Sequence, residues 1–218
     1  MVSITIDGPS GAGKSTVADV LAKRLGFHHL NTGALYRAIT YGCIQEGITS
    51  DDITAVARFL NKCNLKVTVE DGLQRVYIKG QDVTPFVRSN IVSTKTPEYS
   101  TIMAVREGIT NYLRNLSTQM NLVLDGRDIG SYVLPNATYK FYLDASVLER
   151  ARRRYKELLA AGEKISMKEL TKQIEERDRF DKSKKIAPLV VPKNAIIIDS
   201  THLNIDQTVD EMLKHIKI

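Results

Sequence analysis

The chain has 218 residues, of which 43% are hydrophobic and 26% charged, a composition typical of globular proteins. No apolar run approaches the roughly 20 residues of a membrane-spanning helix, and no secretory signal is recognisable, so we expect a cytoplasmic protein without a membrane partner. The net charge of +6 admits nucleic acid as a partner. However, the basic residues alternate with acidic ones and no nucleic-acid-binding motif is present, so we expect no stable nucleic-acid partner.

The segment VSITIDGPSGAGKST, at residues 2–16, predicts a strand, a glycine-rich loop and a helix in succession. The loop fits G-x-x-x-x-G-K-[ST], the phosphate-binding loop of nucleotide-binding proteins. Its glycines let successive backbone N–H groups point at a phosphate, and the following helix adds the positive end of its dipole. We expect Lys14 to reach the β- and γ-phosphates and the Ser15 hydroxyl to ligate Mg²⁺. The residues predicted to bind ATP are Gly8, Pro9, Ser10, Gly11, Ala12, Gly13, Lys14, Ser15 and Thr16.

Helices and an antiparallel insert follow this first unit. Residues 27–30 predict a second strand, and the second of the two helices after it is predicted to be capped by Ser50. Between residues 64 and 83 the apolar residues recur with a period of two, and Asp71-Gly72 is a hairpin signal. This segment predicts a small antiparallel insert in a chain that otherwise alternates helices and strands.

A second group of charged residues follows an apolar strand predicted at residues 122–124. That strand ends on Asp125, and the run Asp-Gly-Arg-Asp-Ile-Gly continues from it. The carboxyl ends of parallel strands are where α/β proteins place their ligand groups, so Asp125 is a candidate to hold a Mg²⁺-bound water. A structural helix cap is the alternative for Asp125. Arg127 and Asp128 are candidate ligand contacts, and a plain surface turn is the alternative for them.

The C-terminal third predicts two strongly charged helices, opened by Ser146 and Ser166, each followed three residues later by glutamate. The second of them has only a weak apolar face, and two charged helices joined by a short loop are typical of a lid that closes an active site to water. Within this lid, Arg177 is either a clamp on the transition state or one half of a surface ion pair. Strands predicted at residues 138–143 and 195–198 complete five parallel strands with helices on both faces.

Seven motifs in this order closely resemble bacterial cytidylate kinases: IDGPSGAGKST, NTGALYRAIT, AVREGI, LDGRDIG, ERARRRYKEL, EERDRFDKSKKIAPL and IDST. The resemblance covers nearly the whole chain, including the antiparallel insert. It implies the α/β P-loop architecture of nucleoside monophosphate (NMP) kinases, a five-stranded parallel sheet of order 2-3-1-4-5 flanked by helices, with an antiparallel insert and a helical lid. It also implies one domain over residues 1–218, made of a core (about 1–33, 119–148 and 188–218), an NMP-binding part with the hairpin insert (about 34–118) and a lid (about 149–187).

The same resemblance implies a monomeric enzyme that transfers the γ-phosphate of ATP to CMP or dCMP, giving ADP and CDP or dCDP. Transfer would be direct, in line and Mg²⁺-assisted, with lid closure. The alternatives are a P-loop kinase of another small acceptor, such as UMP or a metabolite, and a regulatory P-loop ATPase. The residues that would contact CMP are Thr32, Arg37, Arg106, Arg127, Asp128, Arg177 and Asp181. The catalytic residues would be Lys14, Arg127 and Arg177, and the metal would be held by Ser15 and, through water, by Asp125.

In this resemblance, Arg37 and Arg127 bind phosphate, Asp181 holds the ribose, and Arg106 and Asp128 read the cytosine. Hydrogen-bonding chemistry agrees with the last pair. A carboxylate accepts from the exocyclic amino group of cytosine, and a guanidinium donates to the ring acceptors. Uracil would set a carbonyl against the carboxylate, and buried polar groups left unpaired disfavour such an analogue strongly.

Three positions depart from the family's pattern. Lys184 stands where the lid usually carries arginine, which replaces a planar fork by a point charge. Asn31 stands where aspartate is common, and we expect this change to be tolerated. The stretch TKTPEYSTIM departs from the usual serine-bearing pattern, so Ser100 is not among the predicted base contacts. Which arginine of residues 150–154 covers the adenine is left open.

Overall fold

The computed structural model describes residues 1–70, 72–160, 162 and 165–218. Its strands are β1 (Ser3–Asp7), β2 (His28–Asn31), β3 (Lys66–Glu70), β4 (Leu73–Ile78), β5 (Gln81–Asp82), β6 (Leu122–Gly126), β7 (Tyr139–Asp144) and β8 (Ile196–Asp199). Its helices are α1 (Lys14–Leu25), α2 (Thr32–Gln45), α3 (Ile53–Lys62), α4 (Asn90–Tyr99), α5 (Met103–Gln119), α6 (Val147–Ala160), α7 (Met167–Ser183) and α8 (Ile205–Leu213). A short π-helical turn spans Ile129–Val133.

The chain divides into two compact units. One, the core unit, comprises Val2–Phe27 and Leu122–Ile218. The other, the insert unit, comprises His28–Asn121 together with Met1. Among the described residues, none of the helices combines the length and the apolar character that crossing a membrane requires.

The main sheet has five strands in the order β2-β6-β1-β7-β8. Numbered by their own sequence order, these five strands read 2-3-1-4-5, so the predicted order is confirmed. Strand β1 pairs in parallel with both β6 and β7, and β7 pairs in parallel with β8. Because these strands run the same way, the last residues of β1 and β6 meet at one edge, where Ile6 lies opposite Asp125 and Asp7 opposite Gly126. That edge carries the phosphate-loop side of the candidate site.

In the core unit, β1 and β7 place alternate apolar residues on one face of the sheet, and these residues pack with the helices into a core. Ile4, Ile6, Phe141 and Leu143 are all fully buried in it. Helices α1 and α8 cover this sheet with the following apolar residues: Val17, Ala18, Leu21, Ala22, Val209 and Met212. Helix α1 ends at Leu25, and Gly26, with its left-handed backbone (φ 68°), supplies the C-cap.

The insert unit contains the predicted antiparallel element and one strand that the pattern does not predict. Strands β3 and β4 pair antiparallel, with Val67 opposite Val76, and the two-residue β5 joins the edge of β4. Of the predicted turn, Asp71 lies outside the described residues. The predicted Ser50 cap is wrong: the Asp52 carboxylate accepts from the Ala55 N–H at 2.8 Å and caps α3. Both side chains are good caps, and the helix starts next to the later one.

Helices α6 and α7 begin as predicted, since the Ser146 and Ser166 hydroxyls accept from the backbone N–H three residues on, at 3.3 and 3.1 Å. Their sparse apolar residues form a small cluster of their own around Ala151, Leu158, Leu170 and Ile174. The two helices therefore pack on each other through an apolar seam that is distinct from the main core.

Candidate active site

The phosphate loop connects β1 to α1 and depends on glycine at two positions. At Gly8 (φ 149°) a Cβ atom would lie 2.0 Å from the Leu143 carbonyl oxygen, so only glycine fits. Gly13 (φ 87°) is the left-handed N-cap of α1 and has no side chain with which to satisfy the first N–H groups of the helix. Uncapped N–H groups at the start of a helix are a natural site for phosphate oxygens.

Lys14 is enclosed by this loop. Its ammonium group donates to the Pro9 carbonyl at 2.6 Å, and the residue is only 5% exposed. Burial and the nearby charge of Arg127 lower the pKa of Lys14 well below its usual value, against the opposing pull of Asp125 and Asp7. A phosphate bound in the loop would supply the missing negative charge.

Ser15 and Asp125 lie together behind the loop. The Ser15 hydroxyl donates to the Asp125 carboxylate at 2.7 Å, and Asp125 is 3% exposed. Asp125 lies inside β6 and so is not the cap of the turn that follows. Hydroxyl and carboxylate oxygens are the hard ligands that Mg²⁺ prefers, and this ion commonly takes only one or two from the protein.

Three cations surround Asp181, which is fully buried. Lys184 donates to its carboxylate at 2.8 Å, Arg127 at 3.0 Å and Arg177 at 3.4 Å. Burial by itself would raise the pKa of Asp181, but the fields of Arg127, Arg177 and Lys184 outweigh it and lower the pKa to about 2. We call these four residues the cation cluster. Three positive charges balanced by one carboxylate leave it with a positive excess that suits phosphate groups.

The run at residues 125–130 is held by a residue that the sequence analysis did not single out. Asp7, the last residue of β1, is fully buried and accepts from the backbone N–H groups of Ile129 and Gly130, each at 2.7 Å. Burial raises the pKa of Asp7 to about 6, and these two hydrogen bonds oppose the rise. The only sequence signal for Asp7 was a carboxylate at the end of a strand predicted to be buried.

In the insert unit, the side-chain oxygen of Asn31 accepts two hydrogen bonds. It accepts from the Ala34 N–H at 3.0 Å and so caps α2. The same oxygen accepts from the Arg37 guanidinium at 3.2 Å. Thr32, the first residue of α2, is buried. One amide oxygen thus both caps α2 and binds the Arg37 guanidinium.

Arg106 is also held firmly within the insert unit. It is 4% exposed, it donates to the Ser100 carbonyl at 3.0 Å, and its guanidinium lies 5.7 Å from the centre of the Tyr36 ring. The Ser100 hydroxyl instead donates to the Pro97 carbonyl within its own helix turn, at 2.9 Å. Ser100 thus contributes its backbone to the placement of Arg106.

A cavity of about 420 Å³ lies in the core unit beside the phosphate loop. Its apolar walls come from Val17, Leu203 and Ile205, and its polar walls include Arg153 and Arg154. Arg153 is fixed by donating to the Ser200 carbonyl at 2.6 Å. Among the arginines of residues 150–154, the two that line the cavity are therefore Arg153 and Arg154.

The structure thus brings together, within the core unit, the loop lysine, the Ser15–Asp125 pair and the cation cluster. Thr32, Arg37 and Arg106 belong to the insert unit, where Arg37 is held by Asn31 and Arg106 packs on Tyr36. Asp128 belongs to the core unit, is 6% exposed, and leads into the π-helical turn.

Among solved structures, the fold resembles that of an uncharacterized protein from Eubacterium ventriosum, with a TM-score of 0.57 over 99% of this chain and 98% of that one. TT1252 from Thermus thermophilus gives a TM-score of 0.51 over 100% of this chain and 98% of that one. At 12% and 16% identity, these likenesses concern the fold alone.

Sequence comparison is more specific. Cytidylate kinases from Caldanaerobacter subterraneus and Halalkalibacterium halodurans are each 43% identical to this chain over 216 residues. Each alignment covers 99% of this chain, and they cover 95% of the first relative and 97% of the second. A cytidylate kinase from Pediococcus pentosaceus is 43% identical over 97% of this chain and 93% of its own. The family model described as cytidylate kinase matches residues 4–218. The chain belongs to the cytidylate kinase family.

Proposed function

We propose that this kinase transfers the γ-phosphate of ATP to CMP or dCMP, giving ADP and CDP or dCDP. The observation that carries the proposal is the grouping, in one compact unit, of the phosphate loop, the Ser15–Asp125 pair and the cation cluster. Family membership supports the choice of a cytidine nucleotide as acceptor. The phosphate loop alone indicates a nucleotide-binding protein but does not identify the acceptor.

Phosphoryl transfer asks the protein for in-line positioning and for positive charge over the transferring group, not for covalent chemistry. We assign the catalytic roles to Lys14, Arg127 and Arg177. Lys14 binds the β- and γ-phosphates from inside the loop, and the two arginines stabilise charge on the phosphoryl group. Their present partner, Asp181, keeps these cations close together before phosphate arrives, and we assign it the acceptor ribose as well.

Ser15 and Asp125 are the residues that would hold Mg²⁺, Asp125 through a water molecule. The bound ion supplies charge neutralisation on the phosphate oxygens of ATP. The hydrogen bond between these two side chains holds both oxygens at one place behind the loop. That arrangement pre-organises the protein's share of the ligands.

For the acceptor, we assign the cytosine edge to Asp128 and Arg106 and the phosphate to Arg37 and Arg127, with Thr32 as a further contact. Both base-reading groups are buried, so neither has water to replace a missing hydrogen bond. A base that presents a carbonyl to Asp128 therefore leaves two acceptors facing each other. This chemistry favours CMP and dCMP over UMP.

For the donor, we assign the adenine of ATP to the cavity beside the phosphate loop. The cavity joins apolar walls to the charged side chains of Arg153, Arg154, Glu149 and Glu157, and an apolar wall suits the face of a base. Arg153 is the arginine best suited to lie over the base, because the Ser200 carbonyl fixes its guanidinium at the cavity wall and its aliphatic stem stays apolar. The loop then receives the phosphates of the same molecule.

We further propose the division of the chain into core, NMP-binding part and lid at the boundaries expected from the sequence, with lid closure around the nucleotides. We also propose that the enzyme works as a monomer in the cytoplasm, with ATP and the acceptor as its partners. Lid closure has a chemical purpose, because a kinase must keep water from taking the phosphate.

The experiment that tests this function is coupled ADP release from Mg-ATP with CMP, dCMP, UMP, AMP and GMP offered separately. The expected result is strong turnover with CMP and dCMP alone. Equal turnover with UMP would keep the kinase but refute the roles of Asp128 and Arg106. Substantial ATP hydrolysis without any acceptor, stimulated by RNA or DNA, would favour the regulatory ATPase instead.

A further inference from the structure

Asp7 is a buried carboxylate to which the proposed function assigns no role. It ends the central strand of the main sheet, is fully buried, and directly precedes the phosphate loop. Yet its side-chain hydrogen bonds are made to a segment 122 and 123 residues away in sequence, the backbone N–H groups of Ile129 and Gly130. Each of its two oxygens accepts one of these bonds, at 2.7 Å.

These two N–H groups come immediately after Asp128 in the chain. The Asp128 carbonyl in turn accepts from the N–H groups of Tyr132 and Val133, at 2.9 and 3.1 Å, and so closes the π-helical turn. The backbone on the C-terminal side of Asp128 is therefore held both by Asp7 and by the turn itself.

The turn packs closely enough against Thr5 and Asp7 of β1 to restrict the residue type at position 130. A Cβ atom on Gly130 would lie 3.1 Å from the Asp7 carboxylate and 2.7 Å from the Thr5 hydroxyl. A side chain at position 130 would thus push the turn away from β1. Glycine at position 130 thus lets the turn approach the end of β1, where the Asp7 carboxylate accepts its N–H groups.

We propose that Asp7 is a positioning residue for acceptor recognition: by clamping the Ile129 and Gly130 N–H groups it aims the Asp128 side chain at the acceptor base. The inference rests on the proposed function, since it takes Asp128 as a base-reading group. Asp7 itself touches neither nucleotide in this scheme. It acts through two backbone hydrogen bonds.

The chemistry of the clamp requires a carboxylate. Asparagine has nearly the same shape but only one acceptor atom, so one of the two N–H groups would face an NH₂ donor. A buried N–H without an acceptor is costly, and the turn would shift to relieve it. A change from Asp7 to Asn therefore perturbs the direction of Asp128 while it leaves the apolar packing of β1 intact.

The experiment compares Asp7→Asn with Gly130→Ala, which disturbs the same contact from the other side. Asp19→Asn is the matched control, because it removes an aspartate charge from an exposed ion pair with Lys23 on α1. For each variant, KM for CMP, KM for ATP, kcat and the ratio of kcat/KM for CMP over UMP are measured with the full chain.

We expect both clamp variants to raise KM for CMP about tenfold or more and to narrow the CMP-over-UMP preference by a similar factor, with KM for ATP changed by less than about twofold. The control should match the unmodified enzyme. A parallel rise of KM for ATP would assign Asp7 to the phosphate loop and would overturn the inference. Unchanged kinetics in both variants would also overturn it. If Asp7→Asn does not fold, the kinetics of Gly130→Ala decide the question. If neither variant folds, the contact serves the stability of the fold, and the positioning role of Asp7 is overturned.

Failure of the proposed function is distinguishable from failure of this inference. An unmodified enzyme that does not prefer CMP would overturn both. An unmodified enzyme that prefers CMP, with clamp variants that keep the preference, would overturn the role of Asp7 alone.

Discussion

Replacing Asp181 by asparagine tests the electrostatic account of the cation cluster. The substitution keeps the size of the side chain but removes the only negative charge that Arg127, Arg177 and Lys184 share in this cluster. Asp181 is fully buried and Lys184 is only 11% exposed, so solvent screens this pair little, whereas Arg127 and Arg177 are partly exposed and their interactions are screened more. Three cations would then face one another around a neutral amide.

The size of the effect follows from the pKa of Asp181. The cluster lowers that pKa from 3.8 to about 2. A change of one in a pKa corresponds to about 1.4 kcal/mol of difference between the interactions of the two protonation states. Because the folded pKa is the lower one, the ionised carboxylate stabilises the protein above the unfolded pKa of about 4, and this contribution is lost as the pH falls toward 2. We expect Asp181→Asn to lower the free energy of unfolding by about 2 kcal/mol at pH 7 and by progressively less below pH 4.

Urea unfolding followed by circular dichroism, at pH 7 and at several values between 4 and 2.5, measures this difference. Glu176→Gln is the matched control, since Glu176 lies on the same helix in an exposed pair with Lys172 at 3.8 Å. The control should change stability by less than about 0.5 kcal/mol. Equal stability of Asp181→Asn and the unmodified protein at pH 7, or a deficit that does not shrink in acid, would refute the reasoning.

Four further changes have definite expected outcomes. Lys14→Ala should abolish phosphoryl transfer. It should not lower thermal stability, because burying the ammonium group costs the folded protein hydration energy. Normal turnover of this variant would refute the phosphate-loop assignment. Asp128→Ala should raise KM for CMP far more than KM for ATP, and steady-state kinetics showing an equal rise would contradict its base-reading role. Arg153→Ala should raise KM for ATP more than KM for CMP, and titration of the variant with each nucleotide would measure both constants. Asp178→Ala should cost about 3 kcal/mol or more of unfolding free energy, since it leaves the Arg150 guanidinium, paired at 2.7 Å, buried without a counter-charge; an unchanged melting temperature would argue against that pair.

The elements predicted best are those specified by residues adjacent in the chain. Glycine spacing and β-branched residues predict the strand, phosphate loop and α1 because these signals lie in adjacent residues of the chain. The five strands and their order are confirmed, the order having come from the family resemblance. The wrong cap on α3 shows the limit of local signals: Ser50 and Asp52 are equally good caps by type, and the neighbouring Glu98, which binds the Ser50 hydroxyl at 2.8 Å, is 48 residues away.

The sequence by itself determined the family, the fold class and the phosphate loop, since these depend on motifs and on periodicity along the chain. The tertiary structure decided how single charged groups are used. Asp7 and Gly130 meet across 123 residues, and Arg127 meets Asp181 across 54. Such pairings depend on which strand ends share one edge of the sheet and on where α7 packs, and neither spacing nor residue type records them. Burial raises the pKa of Asp7, and three neighbouring cations lower the pKa of Asp181. Both the burial and the cation cluster exist only once the chain has folded.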